Sequence, residues 1–470
     1  MGQTVGRQER TALSSQAERA VAMRVAVTAA VRMPHARLIL LSVYWIAIGY
    51  LWQGLHTLIL PDLVLRFVGE TYKGTALSVL ENSGLLVATF WQPVAGAISD
   101  HTTTRWGRRH PFILGGTLLD IPFLIGIALS GSYWLLIVFY ILLQTSSNTA
   151  HGPYQALLPD VVPEEQRGVA SGYYGIANMI GLLVGVVGVG IVYGRFGRLW
   201  AIASIAAVLL VAMTVTVLFV SDKTPAARGR IPGLRQLLVD TFAEPVRNRN
   251  FMWITVCRLL VLMGLVGIQT YIFYFFYDTW FQGASSKTIS ATTTLIGLVI
   301  AITGLASLPA GMLSDRFGRR RLTVLSGALA SIGMVGLVFS HYLWIPSAVL
   351  DPIAHLLQVP AGAAQAIVYG IPIGIGIGAF LSVNWAQMTD VIPQAQSASY
   401  MGFFNIATAG AGVLTRLIGG GLLDYFNAHG VLFGLRAGYP VVFVFCALLT
   451  MVGGLVVLKA RESPQQPVPV

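Results

Sequence analysis

Long apolar stretches alternate with short polar segments along most of the chain. A helix needs about 20 mostly apolar residues to cross the hydrocarbon core of a bilayer. The pattern predicts twelve membrane-spanning helices, which we number as spans 1 to 12. They lie near 38–61, 75–98, 111–130, 133–157, 169–192 and 199–220, and near 251–277, 289–313, 322–345, 366–388, 399–422 and 437–458.

The polar remainder divides the chain. We expect a cytoplasmic N-terminal tail at 1–37, a six-helix bundle at 38–220, a cytoplasmic central loop at 221–250, a second bundle at 251–458 and a cytoplasmic tail at 459–470. The Ala- and Arg-rich N-terminal stretch lacks the apolar core of a signal peptide, and the alternative is an organellar transit peptide. Met23 or Met33 is an alternative start. Extra chain at 341–365 predicts an external loop or short surface helix.

Composition supports a membrane protein. Only 10% of residues are charged and 55% are hydrophobic, whereas soluble domains carry roughly 25% charged residues. The net charge of +11 does not indicate nucleic-acid binding, because the basic residues fall in short loops rather than on one patch. Cys257 and Cys446 lie in apolar runs, so we expect no disulfide.

The basic residues also predict the orientation. With the N-terminus inside, 22 of the 30 Lys and Arg residues fall in cytoplasmic segments and six fall in external loops. Cytoplasmic loops of membrane proteins carry such an excess. We therefore expect both termini in the cytoplasm, in a protein of the plasma membrane.

Two sequence echoes relate the halves. Gly-Ala-Ile-Ser-Asp100 and Arg-Trp-Gly-Arg-Arg109 are answered by Gly-Met-Leu-Ser-Asp315 and Arg-Phe-Gly-Arg-Arg320. Asp160-Val-Val-Pro163 is answered by Asp390-Val-Ile-Pro393, and each is followed by a related Gly-aromatic-aromatic segment, at 172–177 and 402–407. Repeats in the same order on the same side of the membrane predict two pseudo-symmetric six-helix bundles.

These loops resemble the signature of the major facilitator superfamily. The first loop, with Gln92-Pro93 before it and His110-Pro111 after it, and the segment 148–160 are similar to the sucrose/proton symporters. They are also similar to the wider glycoside-pentoside-hexuronide/cation symporters. The resemblance implies an all-α transporter that gives alternating access to a sugar-sized cavity, usually driven by protons.

The resemblance also places coupling residues. The acidic proton site of span 4 in sucrose symporters falls at Gln144, and an arginine near the sugar falls at Gln155. Two cation-binding carboxylates of span 2 in the melibiose-type branch fall at Ala88 and Gln92. The coupling residues of this chain must therefore differ from those of the families that it resembles.

We call the two repeated segments the Arg loops. A carboxylate at the end of a helix can pair with loop arginines and hold a cytoplasmic gate in one state. The alternative is a topology anchor that binds anionic lipid headgroups. The predicted gate residues are Asp100, Arg105, Gly107, Arg108 and Arg109, and Asp315, Arg316, Gly318, Arg319 and Arg320.

Polar residues inside the spans predict a substrate cavity. In span 4 four of them are spaced 4, 3 and 4 apart, which places them on one helical face that must meet protein or water. The alternative is a helix–helix contact with interhelical hydrogen bonds. The cavity candidates are Gln53, His56, Gln92, Gln144, Asn148, His151, Gln155, Arg258, Gln269, Asn384 and Gln387.

Two carboxylates lie inside apolar runs, Glu81 in span 2 and Asp120 in span 3. Intramembrane carboxylates often mark proton pathways, so both are candidates for proton coupling. A structural hydrogen bond, or access of Glu81 to interfacial water, is the alternative. Arg416 in span 11 has Asp424 or a span 10 group as its expected partner.

Two features of span 7 allow a second interpretation. Arg258 is a cavity candidate whose charge alternatively reaches the interface. The aromatic run at 271–277 predicts a membrane-interface belt, or a ring that stacks on a sugar.

The sequence thus predicts a secondary transporter for a sugar or similar polar solute, coupled to protons. A drug or lipophilic-solute exporter on the same scaffold is the alternative, and a non-transporting sensor or channel is a third. The sequence contains no phosphate-binding loop and no metal-ligand spacing that would indicate an enzyme. We expect no cofactor, a monomer, and contacts with anionic lipids.

Overall fold

The structure is a computed structural model that describes residues 33–102, 104–163, 166–222, 245–392 and 397–460. Most of the expected N-terminal tail, central loop and C-terminal tail lies outside these residues. The first half of the chain forms helices α1 (His35–Val68), α2 (Lys73–Asp100), α3 (His110–Leu129), α4 (Tyr133–Val161), α5 (Arg167–Phe196) and α6 (Arg198–Phe219).

The second half repeats this pattern with one added helix. It forms α7 (Arg249–Thr279), α8 (Ser285–Phe317), α9 (Arg319–Val338), α10 (Ser347–Leu357), α11 (Ala361–Val391), α12 (Ser397–His429) and α13 (Gly438–Val456). Helices α1 to α9 correspond to spans 1 to 9, and α11 to α13 correspond to spans 10 to 12. A two-residue hairpin, Val431–Leu432 with Leu435–Arg436, joins α12 to α13.

Local sequence explains several helix boundaries. Asn248 accepts a hydrogen bond from the backbone N–H of Phe251 and caps α7. Gly197 ends α5 with a φ of 86°, a conformation that glycine adopts without strain. The predicted span 9 is longer than α9, because the chain leaves the helix at Phe339 and enters the Pro-rich insert that contains α10.

Ten of the described helices are long and apolar enough to cross a membrane, and α10 is too short to do so. Helices α2 and α4, of 28 and 29 residues, fall outside these ten although they are long enough. They carry the polar residues that predict the cavity. Polar helices of this length are stable in lipid only when neighbouring helices cover their polar faces.

The packing repeats between the halves. Helix α1 packs on α5 and α6, as α7 packs on α12 and α13, and α4 packs on α3 as α11 packs on α9. Two further pairs, α2 with α12 and α5 with α8, join one half to the other.

The Gly run of α11 allows its neighbours to approach closely, since a Cβ at Gly378 would lie 2.4 Å from the carbonyl oxygen of Thr303 in α8.

Candidate functional site

Two polar contacts join the halves near the middle of the bundle, and we call this pair of contacts the roof. Positions between the roof and the Arg loops are described as lying below it. Glu81 of α2, which is 2% exposed, forms an ion pair with Arg416 of α12. Gln269 of α7 donates a 3.1 Å hydrogen bond from Nε2 to Oε1 of Gln53 in α1. The expectation that Glu81 reaches interfacial water is therefore wrong, because protein surrounds it on all sides.

The partner of Arg416 also differs from the expectation. Asp424 lies two turns along α12, where it accepts hydrogen bonds from the backbone N–H groups of Gly74 at 3.0 Å and Thr75 at 2.7 Å. It caps the first turn of α2 in the opposite half and is not available to Arg416. Both acids of this region therefore bind across the boundary between the halves.

A separate chain of hydrogen bonds lies within the first half. Nε2 of His56 lies 3.0 Å from the hydroxyl of Tyr140. Gln144 donates to the same hydroxyl at 2.9 Å, and Asn148 donates to Oε1 of Gln144 at 3.1 Å. Helix α1 widens to a π-helix at Leu55–Ile59 beside these groups, a distortion that is frequent at functional sites.

A second group of polar side chains lies in the first half, closer to the Arg loop than the first group. Nε2 of Gln92 in α2 donates to Oε1 of Gln155 in α4 at 3.1 Å, and Nε2 of Gln155 lies 3.0 Å from Nε2 of His151. Gln155 is exposed, and Gln92 and His151 are partly exposed. The structure thus brings the span 4 stripe and Gln92 together on the first half.

The polar wall of the second half centres on Arg258 in α7. Its Nε donates to Oγ1 of Thr408 at 2.8 Å, and its Nη1 donates to Oδ1 of Asn384 at 3.3 Å. These contacts hold the guanidinium inside the protein and exclude the interface position. Gln387 lies apart from them, since its Oε1 accepts from Oγ1 of Thr323 between α11 and α9.

Asp120 has a different environment from Glu81. Its side chain is fully buried and accepts a hydrogen bond from Ser146, so the contact joins α3 to α4 within one half. Proton binding at Asp120 would act on packing inside the first half, whereas proton binding at Glu81 would act on a bond between the halves.

The aromatic run of α7 does not form an interface belt. Its residues from Tyr271 to Phe276 are buried in the protein core. The hydroxyl of Tyr271 lies 2.9 Å from that of Ser78 in α2, and Tyr274 donates to the backbone carbonyl of Lys73. The run is buried on every face because α7 lies between its own half and the other.

In the first Arg loop, basic residues bind acids of their own half. Arg109 pairs with Asp100 at 2.5 Å and with Asp160 at 2.8 Å, and Arg108 pairs with Asp160 at 2.5 Å. Gly107 has a φ of 97°, and Asp222 packs so closely against it that there is no room for a Cβ. Arg105 lies over the ring of Trp106, with 5.7 Å from Cζ to the ring centroid.

The second Arg loop repeats part of this arrangement. Arg319 pairs with Asp390, and Arg320 donates to the backbone carbonyl of Leu458 at 2.6 Å. Gly318 has a φ of 89°, and Arg316 is exposed. The side chain of Asp315 lies outside the described part of the structure.

The two sequence echoes therefore meet in space. Asp160 and Asp390 begin the second echo, and each accepts from an arginine of the Arg loop in its own half. We expected Asp100 and Asp315 as partners and did not assign these two acids. Their repetition at equivalent places was the available signal.

A comparison with known families follows from this repeated architecture. The model described as Major Facilitator Superfamily matches residues 36–371 and 282–470. The chain belongs to the major facilitator superfamily. It is accordingly an integral membrane transporter and not an enzyme, with the all-α, two-bundle fold that the sequence predicts.

Individual relatives are distant. The sucrose transport protein SUC4 of Arabidopsis thaliana is 24% identical, over 84% of this chain and 84% of its own length. The class H tetracycline resistance protein of Pasteurella multocida is 22% identical, over 62% of this chain and 70% of its own. The crystal structure of the nucleoside transporter NupG matches with a TM-score of 0.66 at 15% identity, over 90% of this chain and 98% of that one.

The transporter also has an ion network that the sequence did not predict, at the end of the bundle opposite the Arg loops. We call this the closed end. Asp278 at the end of α7 pairs with Lys73 of α2 at 2.5 Å and accepts a 2.6 Å hydrogen bond from Tyr439. Arg436 in the hairpin contacts Asp278 at 3.5 Å and Glu70 at 2.8 Å.

The closed-end network crosses the two halves, since Glu70 and Lys73 belong to the first half and Asp278 and Arg436 to the second. The side chains of Lys73 and Asp278 are 0% and 1% exposed. The hydrogen bond from Arg436 lowers the pKa of Glu70 below its ordinary value. The partners lie more than 200 positions apart in sequence for Lys73 with Asp278 and for Glu70 with Arg436, so no local spacing marks these pairs.

Proposed function

We propose that this transporter moves a sugar or similar polar small solute by alternating access, coupled to protons. The observation that carries the proposal is a set of polar side chains contributed by both halves below one roof. Amides of α2 and α4 lie on one wall and Arg258 with Asn384 on the other. Polyhydroxylated solutes need several such donors and acceptors in an otherwise apolar cavity.

The joints between the halves support alternating access. Between described residues, hydrogen bonds and ion pairs that join the halves run from the roof to the closed end. The contacts of the Arg loops given above stay within one half. We infer a conformation that is closed at one end and accessible from the Arg-loop end, which rocking of the two bundles would reverse.

Glu81 is our proton-coupling residue in preference to Asp120. Protonation would neutralise its carboxylate and weaken the attraction to Arg416 of the opposite half. A bond between the halves that depends on a proton links proton binding to opening of the closed end. The relation to a sucrose transport protein supports the sugar assignment.

The orientation and division of the chain remain part of this proposal. We infer that the Arg loops and both termini face the cytoplasm of a cell whose plasma membrane holds the protein, with bundles at 38–220 and 251–458. The excess of basic residues supports this orientation. The Arg loops would contact anionic lipids as well as their carboxylates, and we expect the protein to act as a monomer.

Uptake by purified protein in liposomes tests the assignment. Labelled mono- and disaccharides are presented with an imposed inward proton gradient, and again after a protonophore collapses it. The proposal expects accumulation of at least one saccharide only with the gradient. Failure across the panel, combined with tolerance of cells to a drug on expression, would select the exporter alternative, which the relation to a tetracycline resistance protein favours.

A further inference from the structure

Arg258 differs from the other buried cations of the described chain. Lys73, Arg108 and Arg109 are also buried, and each of them pairs with an aspartate. Arg258 is 8% exposed and its polar partners are the neutral Thr408 and Asn384. Among the residues that the structure describes, Arg258 forms no ion pair with a carboxylate.

Aromatic rings complete the pocket of this guanidinium. Cζ of Arg258 lies 4.5 Å from the ring centroid of Phe404 and 6.0 Å from that of Trp385. Cation–π contacts orient a guanidinium and offset part of its desolvation, but they leave its full charge in place. Within the described part of the chain, the site therefore holds an oriented cation without a carboxylate counterion.

The helix geometry places this cation on the face of α7 that would line the proposed solute cavity. Arg258 lies eleven residues before Gln269 in α7, about three turns and 16 Å away on the same helical face. Gln269 contacts Gln53 of the opposite half at the roof. The face of α7 that carries Arg258 is thus turned toward the first half, below the roof.

The opposite wall has the same spacing. Gln92 lies eleven residues after Glu81 in α2, again about three turns from the roof. Gln92 and Gln155 therefore lie at about the same depth as Arg258, on the other side of the space between the halves. A solute at this depth would meet neutral amides on one side and a cation on the other.

We propose that Arg258 is an anion subsite, so that the transported solute is a polyol that bears a carboxylate or phosphate group. The inference rests on the proposed function and specifies its substrate class. A guanidinium has five N–H donors, and the structure shows neutral acceptors for two of them. The planar fork matches the two oxygens of a carboxylate or phosphate. An anionic group would supply the counterion, whereas a hydroxyl would leave the charge uncompensated.

Matched pairs of ligands test the inference. Thermal stabilisation and calorimetry would compare glucose with glucuronate and glucose 6-phosphate, and galactose with galacturonate, on the purified full chain. We expect an acidic member to bind at least about thirtyfold more tightly than its neutral counterpart. Arg258→Gln should abolish this preference, and Arg258→Lys should restore part of it because it keeps the charge. The choice between carboxylate and phosphate follows from which acid binds.

Thr408→Val is the matched control. It removes a neutral partner of Arg258 and keeps the cation, so the preference for acids should persist. This variant and Arg258→Lys keep the test decisive if Arg258→Gln does not fold. Equal binding of neutral and acidic members by wild type, or an acid preference that persists in Arg258→Gln, would overturn the anion subsite. Gradient-driven uptake of a neutral saccharide alone would retain the proposed function, and binding of no polyol would overturn both.

Discussion

Both ends of the bundle contain ion pairs, but the pairs join the two halves at one end and stay within one half at the other. At the closed end, Lys73 and Glu70 of the first half bind Asp278 and Arg436 of the second. At the Arg-loop end, the ion pairs described above join helices within one half. An ion pair between the halves must break when its end of the bundle opens, whereas an ion pair inside one half moves together with that half.

The comparison assigns separate tasks to the two networks. We infer that the Arg loops hold each bundle together as a rigid body, and that the closed-end network and the roof hold the bundles against each other. Rocking then requires bonds to break at one end while the other networks persist. The following predictions test this division, from the largest expected effect to the smallest.

Glu81→Gln should have the largest effect. The substitution leaves Arg416, whose side chain is 12% exposed, without its carboxylate. Breaking a buried ion pair costs about 3–5 kcal/mol. We expect gradient-driven accumulation to be lost and the midpoint of thermal unfolding to fall. Uptake assays on Asp120→Asn provide the comparison, because that acid binds within one half. Normal accumulation in Glu81→Gln with loss in Asp120→Asn would transfer the coupling role to Asp120.

Asp278→Asn should open the closed end. It leaves Lys73 buried without a carboxylate and removes one partner of Arg436. A cysteine introduced at Gln53, in the roof itself, would report opening by its reaction with a maleimide added from the closed side, with Gln53→Cys alone as the reference. We expect the reaction rate to rise about tenfold, which corresponds to about 1.4 kcal/mol between the two states. Asp390→Asn, at the other end, should leave the rate unchanged, and an equal rise in both variants would refute the division.

The Arg-loop acids should affect the transport rate more than substrate affinity. Asp160→Asn removes the partner of both Arg108 and Arg109, whereas Asp100→Asn removes only one of two acids around Arg109. We expect maximal uptake to fall severalfold in Asp160→Asn and less in Asp100→Asn and Asp315→Asn, with KM nearly constant. Uptake measured against solute concentration checks this, and unchanged maximal rates in all three variants would exclude any role of these acids in the transport cycle.

Glu70 should give the smallest effect, and only in acid. Arg436 lowers its pKa below the ordinary value of 4.5. A carboxylate with a lowered pKa contributes its full stabilisation above the ordinary pKa and loses it as the pH falls through the lowered one. The difference in reaction rate between wild type and Glu70→Gln, for the cysteine at position 53, should therefore be constant from about pH 5 to 8 and shrink only in stronger acid. A transition near neutral pH that Glu70→Gln abolishes would contradict this assignment.

The sequence predicted the elements better than their contacts. Twelve spans and two similar halves follow from apolar length and repetition, because lipid imposes both constraints locally along the chain. The pairing of Glu81 with Arg416 joins residues more than 300 positions apart, so no spacing rule reveals it. The contacts of Asp278 with Lys73 and Arg436 could not be predicted for the same reason. The span 4 stripe was recognisable because its members share one helix face.

A cross-link between α5 and α8 at the closed end tests the central claim most directly. A Cβ at Gly194 would lie 3.9 Å from Oγ of Ser286 and would meet no other atom within 4 Å, so Gly194→Cys with Ser286→Cys should form a disulfide without displacing neighbours. The native Cys257 and Cys446 are buried, and the two single-cysteine variants control for other effects of oxidation. The account predicts that the oxidised double variant binds solute from the Arg-loop end but does not transport it, and that a reductant restores transport. Transport at an unchanged rate by the fully cross-linked protein would contradict it.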